Sequence, residues 1–320
     1  MAGVPFNRED AVQTPDATPR LGYFLLATIT VFWGLNFPAM KVVLGELPPW
    51  TFRTLCLILG GLGLLLICRL GGLPLAIPRA DLKPLFWSTL FNITGWHLTS
   101  AYGLIHMQAG RAMIIGYTMP VWASLLAYFL LGERLGPRRI LGLVLGVAGL
   151  LVLLWPNLSQ VQASPVGAAF MLAAAWCWAA GTIWIKRGPW SMPLILVAAW
   201  MFLLGGLPVL IGALILESPA AVTNLSWTGG LVLAYVIALP VLFCHWAYYK
   251  LVSIFPVSLA ALGMLATPVL GVLVSAWALK EPLGWPEITS LVLVVAALAI
   301  VMIRPSGQAA VNHKALAQPD

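Results

Sequence analysis

Charge is what this 320-residue chain has least of, since Asp, Glu, Lys and Arg together make up 8 % of it. A soluble domain of this size needs several times that share at its surface, so a water-soluble fold is excluded. The ten acidic residues, Glu9, Asp10, Asp16, Glu46, Asp81, Glu133, Glu217, Glu281, Glu287 and Asp320, fall in the tails or near the ends of apolar runs. No carboxylate stands mid-run, which removes the usual carrier of a proton or sodium relay. A Gly-x4-Gly-Lys-Ser/Thr loop is missing as well, so direct use of ATP is not expected. The four cysteines, Cys56, Cys68, Cys177 and Cys244, lie inside apolar runs without metal-ligand spacing. They read as small core residues, and neither a disulfide framework, a metal nor any other cofactor is expected. An intramembrane enzyme would need a convergent catalytic set, and the chain has no His-Glu-x-x-His, no mid-run aspartate pair and no placed serine nucleophile.

Apolar residues fill the space that charge leaves: 61 % of the chain is hydrophobic and the mean hydropathy is +0.96. Spanning the hydrocarbon core takes about 20 apolar residues per helix. Runs of that kind can be placed at 21–42, 49–69, 84–106, 109–131, 137–155, 164–186, 192–216, 228–251, 256–279 and 285–303. The pattern predicts an all-α integral membrane protein of ten transmembrane helices joined by short loops. Residues 1–20, with Pro5, Pro15 and Pro19 and no apolar core, read as a disordered tail and not a cleavable signal, and 304–320 reads as a second tail.

The order of these runs carries more information than their number. Met119-Pro120 followed by Gly132-Glu133-Arg134-Leu135-Gly136 is echoed 148 residues later by Thr267-Pro268 and Lys280-Glu281-Pro282-Leu283-Gly284. His97 falls on His245 at the same offset, and at 145 Trp33 falls on Trp178, Lys41 on Lys186 and Pro48 on Pro193. One longer loop accounts for the three-residue drift. The chain therefore divides into a five-helix repeat at 21–155, a linker at 156–163 and a second five-helix repeat at 164–303. Five is odd, so the second repeat enters the membrane the other way up and the two are inverted, with a pseudo-two-fold axis in the membrane plane. Such a fold opens to either face by similar movements, which is the physical case for alternating access to a midplane site. A receptor or sensor has no need of inverted halves.

The net charge of +7 is topological. With a cytoplasmic N-terminus, thirteen of the seventeen Lys and Arg residues fall on the cytoplasmic side and four, Lys41, Arg53, Arg111 and Lys280, on the other. That bias puts both termini in the cytoplasm and implies no nucleic acid partner.

Polar groups inside a bilayer are costly, so those present are candidates for function. The candidate substrate-binding set is Trp33, Asn36, His97, Tyr117, Trp178, Thr182 and His245. For the histidines the alternative is a neutral ring hydrogen-bonded to a neighbouring helix; for any one tryptophan it is lipid-facing filler. Trp33 and Trp178 hold equivalent positions, where an aromatic cavity would suit aromatic or ammonium-bearing molecules. Among the fifteen tryptophans, Trp277 is placed with the deeper group. Pro120 and Pro268 each remove a backbone donor near mid-run and are candidate hinges or static kinks. Lys41 and Lys186 near helix ends read as snorkelling to the interface, and Arg53 as an anchor of the second helix or a partner of Glu46. The glycine groups Gly60, Gly61 and Gly63, Gly142, Gly146 and Gly149, and Gly205 and Gly206 read as close helix packing.

Taken with Trp33-Gly34-x-Asn36-Phe37 followed by Lys41, Pro49-x3-Arg53, the two central prolines and the Gly-Glu-Arg-Leu and Lys-Glu-Pro-Leu steps, the chain resembles the EamA-type branch of the drug/metabolite transporter superfamily over residues 21 to 303. Less closely, it is similar to that branch's bacterial exporters of aromatic amino acids. The resemblance implies a basket-like fold in the bacterial inner membrane, with a central cavity involving Trp33, His97, Tyr117 and Trp178, and export of amino acids or related metabolites. Leu265 replaces Tyr117 and Gly181 replaces Asn36 in the second repeat, so the cavity is expected to be polar mainly on the first-repeat side. The expected partners are a small-molecule substrate and membrane lipids, and the expected state is a monomer or weak dimer. A multidrug or lipid-carrier exporter of the same superfamily is the rival reading.

Overall fold

The computed structural model describes residues 19–131, 136–158, 165–254 and 266–302, and every element among them is helical. The tails, the whole Gly-Glu-Arg-Leu step, most of the 156–163 linker and the start of the 256–279 run, Leu265 included, lie outside the described residues. Helices α1 (Pro19–Gly34) and α2 (Asn36–Leu44) form one rod interrupted at Leu35. Pro38 has no N–H to give the Gly34 carbonyl, so the helical ladder breaks there. After α3 (Pro49–Leu70), a second rod comprises α4 (Leu82–Ser88), a wide π-turn at Thr89–Gly95 and α5 (Trp96–His106). Then come α6 (Ala109–Gly116), α7 (Met119–Leu131), α8 (Pro137–Leu158), α9 (Pro165–Arg187) and α10 (Leu194–Leu216). A third interrupted rod comprises α11 (Trp227–Val236), a π-turn at Ile237–Phe243 and α12 (Cys244–Ile254), followed by α13 (Ala266–Ala278) and α14 (Trp285–Met302).

Six helices among the described residues are long and apolar enough to cross a membrane: Arg20–Leu44, Pro49–Leu70, Ala109–Leu130, Pro165–Arg187, Leu194–Leu216 and Trp227–Tyr248. Ile140–Leu153, Ala266–Ala278 and Trp285–Ile300 are shorter apolar helices. The predicted 84–106 run is helical but carries Asn92, Thr94, His97, Thr99 and Ser100, which dilute its hydropathy. The protein is thus a multi-pass membrane protein. Trp277 proves not to be deep: it is 75 % exposed at the penultimate position of α13, among other exposed tryptophans at helix ends, Trp155, Trp227 and Trp285. An amphipathic ring at that position belongs to a membrane–water interface.

The sequence offsets reappear in three dimensions. The two π-turns start and end 148 residues apart, and so do α5 and α12. Pro240 has no N–H for the Val236 carbonyl, which accounts for the second wide turn; the first has no proline and holds Asn92 at the equivalent position.

Contacts between the halves are reciprocal. A Cβ on Gly60 would come within 2.4 Å of Val241, and one on the equivalent Gly205 within 2.7 Å of Ile93, the residue equivalent to Val241. Gly61 meets Leu203 at 2.7 Å and Gly206 meets the equivalent Ile58 at 2.8 Å in the same way. The crossing of α3 with α10 is therefore built twice from the same parts, on glycines that let the helices approach closely.

Polar contacts obey the same exchange. Glu46, just before α3, accepts from the Ser226 backbone N–H at 2.7 Å and its hydroxyl at 2.8 Å. Beyond the far end of α3, Asp81 accepts from the Ser191 N–H at 3.2 Å and hydroxyl at 2.9 Å. Ser191 is the equivalent of Glu46 and Ser226 the equivalent of Asp81 at offset 145. The acid and the serine have changed places between the halves while the contact is kept, as an isologous interface requires.

Candidate functional site

The broken rods bring three of the predicted residues, Trp33, His245 and His97, together from different helices. Trp33, the penultimate residue of α1, donates from Nε1 to the Pro240 carbonyl at 3.0 Å. That carbonyl belongs to the second π-turn, and it also lies 3.3 Å from His245 Nδ1. The Trp33 ring stands edge-on to His245 at 5.8 Å and tilted against Tyr248 at 5.9 Å. His245 in turn meets Phe202 of α10 at 4.8 Å, and Phe202 meets His97 at 5.8 Å. The repeat-related histidines thus flank one phenylalanine, and the rings of Trp33, His245, Phe202 and His97 form a continuous aromatic column across the two halves. His97 is buried, and its Nδ1 has no hydrogen-bond partner among the described residues.

Trp178 takes a different environment from its counterpart Trp33. Its ring meets Trp96 edge-on at 5.0 Å, and its carbonyl accepts from Asn92 Nδ2 at 3.3 Å and from the Thr182 hydroxyl at 2.8 Å. The Thr182 proton is thereby committed to its own helix, one turn back. Gly181 matters here because a Cβ on it would come within 2.4 Å of Asn92 Cβ and 2.7 Å of its backbone N. At the repeat offsets Gly181 corresponds to Asn36 and Pro240 to Asn92, so both asparagines belong to the first half, which supplies Asn92 against Gly181. The polar group missing at Gly181 is replaced across the contact. Asn36 opens α2, and its Oδ1 is buried without a partner among the described residues.

Tyr117 is buried at the break between α6 and α7. Thr118, next to it, gives its hydroxyl proton to the Ile115 carbonyl at 2.6 Å and accepts from Trp122 Nε1 at 3.0 Å, which secures the break. Pro120 follows as the second residue of α7, a first-turn position where a missing N–H costs nothing. Pro268 is the third residue of α13 and is buried. Pro120 therefore stands in the first turn of a helix segment, whereas residues 255–265, which lead into Pro268, lie outside the described ones.

Two basic residues take partners that their sequence positions do not announce. The Lys41 Nζ donates to the Leu104 carbonyl and, at 2.9 Å, to that of Met107. It closes the end of α5, whose last carbonyls have no helical donor. Arg53 does not meet Glu46; it is 2 % exposed, and its Nε donates to the His97 carbonyl at 2.8 Å. Sequence reasoning also passed over Phe202, Trp96 and Tyr248, since an aromatic residue in an apolar run has no distinguishing mark. Asn92 did leave a signal, as a polar residue in an apolar run lying opposite a proline at the repeat offset.

Among the described residues no group of three or more His, Cys, Asp or Glu is placed to hold a metal ion. The carboxylates are engaged at helix ends: Glu217 accepts from the N–H groups of Trp50 and Thr51, Glu281 from those of Ala109 and Gly110, and Glu287 pairs with Arg111 at 2.6 Å. Carboxylates at helix N-termini satisfy free N–H groups and the helix dipole.

Comparison with known proteins bears on this arrangement. A family model described as the EamA-like transporter family matches residues 20–155 and again 165–303. An uncharacterized transporter of Bacillus subtilis, YvbV, is 28 % identical over 304 residues, 91 % of this chain and 96 % of that protein. A probable amino-acid metabolite efflux pump of Salmonella typhimurium is 28 % identical over 293 residues, covering 87 % and 93 %. The Escherichia coli protein of the same description is 27 % identical over 288 residues, covering 86 % and 93 %. A solved crystal structure superposes with a TM-score of 0.61 at 19 % identity over 93 % of this chain and 99 % of that one, a likeness of fold.

Proposed function

The chain belongs to the EamA-like transporter family, and from that premise we propose that it is an alternating-access exporter of neutral, preferably aromatic, amino acids and related small amphipathic metabolites. In this reading ten helices form two inverted five-helix halves in a bacterial inner membrane, with both termini cytoplasmic. Transport is facilitative and independent of ATP. The reciprocal contacts of α3 with α10 and of the two acid–serine pairs support the inverted halves, because a two-fold relation exchanges each contact with its equivalent.

The observation that carries the substrate class is the aromatic column of Trp33, His245, Phe202 and His97, with an unpartnered buried nitrogen on His97. Trp33 and Trp178 supply faces and edges for an aromatic side chain, while Asn36, His97, Tyr117, Thr182 and His245 supply polar contacts. Pro120, just after the break between α6 and α7, and its repeat counterpart Pro268 are the hinges of this reading. The description of the Salmonella and Escherichia relatives as amino-acid metabolite efflux pumps agrees with that class.

The test is counterflow of labelled phenylalanine, threonine and an unrelated sugar in proteoliposomes without ATP, with and without a pH gradient. The expected result is uptake of the amino acids alone, unchanged by the gradient and lost in Trp33→Ala and His97→Ala at equal protein levels. Uptake of no amino acid, with transport of a hydrophobic cation or lipid instead, would replace this reading by the multidrug or lipid-carrier one.

A further inference from the structure

We infer that Arg53 anchors the carboxylate of the transported amino acid, with the aromatic column beside it receiving the side chain. The inference rests on the exporter reading above and adds to it a recognition residue and a substrate polarity. Arg53 is buried, and among the described residues no carboxylate lies within ion-pair distance of it. A guanidinium stays ionised in proteins, so a full positive charge is held in the interior of a membrane protein without an opposite charge. Leaving such a charge unpaired is costly, and a carboxylate that arrives with the substrate removes that cost.

The donors of Arg53 are unevenly used. Nε binds the His97 carbonyl, and Nη2 binds the Ser100 hydroxyl at 2.9 Å. Nη1 meets only the thioether of Met40 at 3.7 Å, a weak acceptor. The outer edge of the fork is therefore held by sulfur where a carboxylate would accept two parallel N–H bonds. Met40 is unbranched and adaptable, the kind of side chain that can leave such a place without disturbing the packing around it.

A second, independent observation points to a ligand at this position. His97, whose carbonyl Arg53 grips, is 8 % exposed and carries the unpartnered Nδ1. Asn36, with its unpartnered Oδ1, lies one helical turn before Met40 on α2, so the two side chains share a face. The buried atoms without partners thus include this ring nitrogen and this amide oxygen, besides the hydroxyl of Thr54 next to Arg53, and the amide oxygen is an acceptor suited to an ammonium. From His97 the aromatic column leads away through Phe202 and His245 to Trp33. Carboxylate, ammonium and aromatic ring each have a complementary surface in that order. Sequence position gives no second copy of the anchor, because Ala198 stands where the repeat would put another arginine. The substrate is consequently held in one orientation, not two.

The alternative role for Arg53 is a staple between α3 and α5, and a matched substrate pair separates the two. Phenylalaninamide keeps the ring and the ammonium of phenylalanine and lacks only the anionic carboxylate. In proteoliposomes of the full chain, phenylalaninamide is expected to compete with labelled phenylalanine about tenfold or more weakly than phenylalanine itself, the value of one charge-assisted hydrogen bond. In Arg53→Lys, KM for phenylalanine is expected to rise by a similar factor while inhibition by the amide stays as it was, so the discrimination shrinks. Equal competition by the two compounds in the native protein overturns the inference and leaves the exporter reading intact, and it needs no variant that folds. A loss in Arg53→Lys that strikes both compounds alike also overturns it in favour of a staple. No phenylalanine counterflow by the native protein defeats the exporter reading and this inference together.

Discussion

Replacing Gly181 by alanine tests whether a close approach of the two halves is set by backbone or by yielding side chains. A methyl there would lie 2.4 Å from Asn92 Cβ, 2.7 Å from its backbone N and 2.8 Å from its Cα. None of these atoms is the tip of a flexible chain, so α9 and the Thr89–Gly95 turn must move apart. Overpacking of this kind costs about 1–3 kcal/mol, and more where no rotamer can yield. The alanine returns about 1 kcal/mol of helix propensity. The Asn92 to Trp178 bond at 3.3 Å, already long, is lost with the separation, for about 1 kcal/mol more. Gly181→Ala is therefore expected to destabilise by roughly 1–3 kcal/mol net. Gly230→Ala is the control: its methyl would meet only Leu225 at 3.8 Å, so the helix propensity term stands alone and stability rises by up to about 1 kcal/mol. The assay is thermal unfolding of the two purified variants in one detergent, followed by intrinsic tryptophan fluorescence. Equal midpoints for Gly181→Ala and Gly230→Ala would refute the argument, since they would mean that the approach at Gly181 is not built into the fold.

The acid–serine exchange predicts that Asp81→Ser destabilises and that adding Ser191→Asp restores most of the loss, because Glu46 with Ser226 already makes the same contact with the roles reversed. A buried charged hydrogen-bond set of this kind is worth about 1.5–3 kcal/mol, and a double-mutant cycle on unfolding midpoints reads the coupling; a double variant no better than Asp81→Ser alone counts against the exchange. Trp33→Phe keeps a ring against His245 but removes the Nε1 donor to Pro240. It is expected to cost about 1 kcal/mol and to retain more transport than Trp33→Ala in the counterflow assay, whereas equal loss in the two would mean that the hydrogen bond, and not the ring, is what the site requires.

Much of this architecture was legible in the chain because hydropathy and repeat offsets are one-dimensional signals. The paired glycines at 60, 61, 205 and 206 could be read as close packing, and they do face one another's helices. What the offsets could not supply is backbone register. The π-turns shift the side chains that follow them, and only the second has a proline to announce it. The partner of Lys41 was silent for a related reason: its position near a helix end says nothing of the end of α5, whose carbonyls need a donor and are brought to it by the fold. Phe202 was silent because its importance comes wholly from lying between His97 and His245, which are brought to it by two other helices.

The departures from symmetry are more informative about chemistry than the symmetry itself. Equivalent contacts at Gly60 and Gly205, or at Glu46 and Asp81, are built from the same parts, and in the proposed alternating-access reading they let either end of the molecule adopt the other's arrangement. Positions around the aromatic column are not interchangeable. Trp33 faces His245, whereas Trp178 faces Trp96; Arg53 has Ala198 as its counterpart, and Asn36 has Gly181. In the proposed reading, a frame that moves symmetrically tolerates asymmetry only where it does not have to repack, which is in the space the two halves would enclose. On that argument the asymmetric residues mark the substrate space, and their sorting, with charge and unpartnered polar atoms near His97 and rings toward Trp33, would give it a polar and an aromatic end.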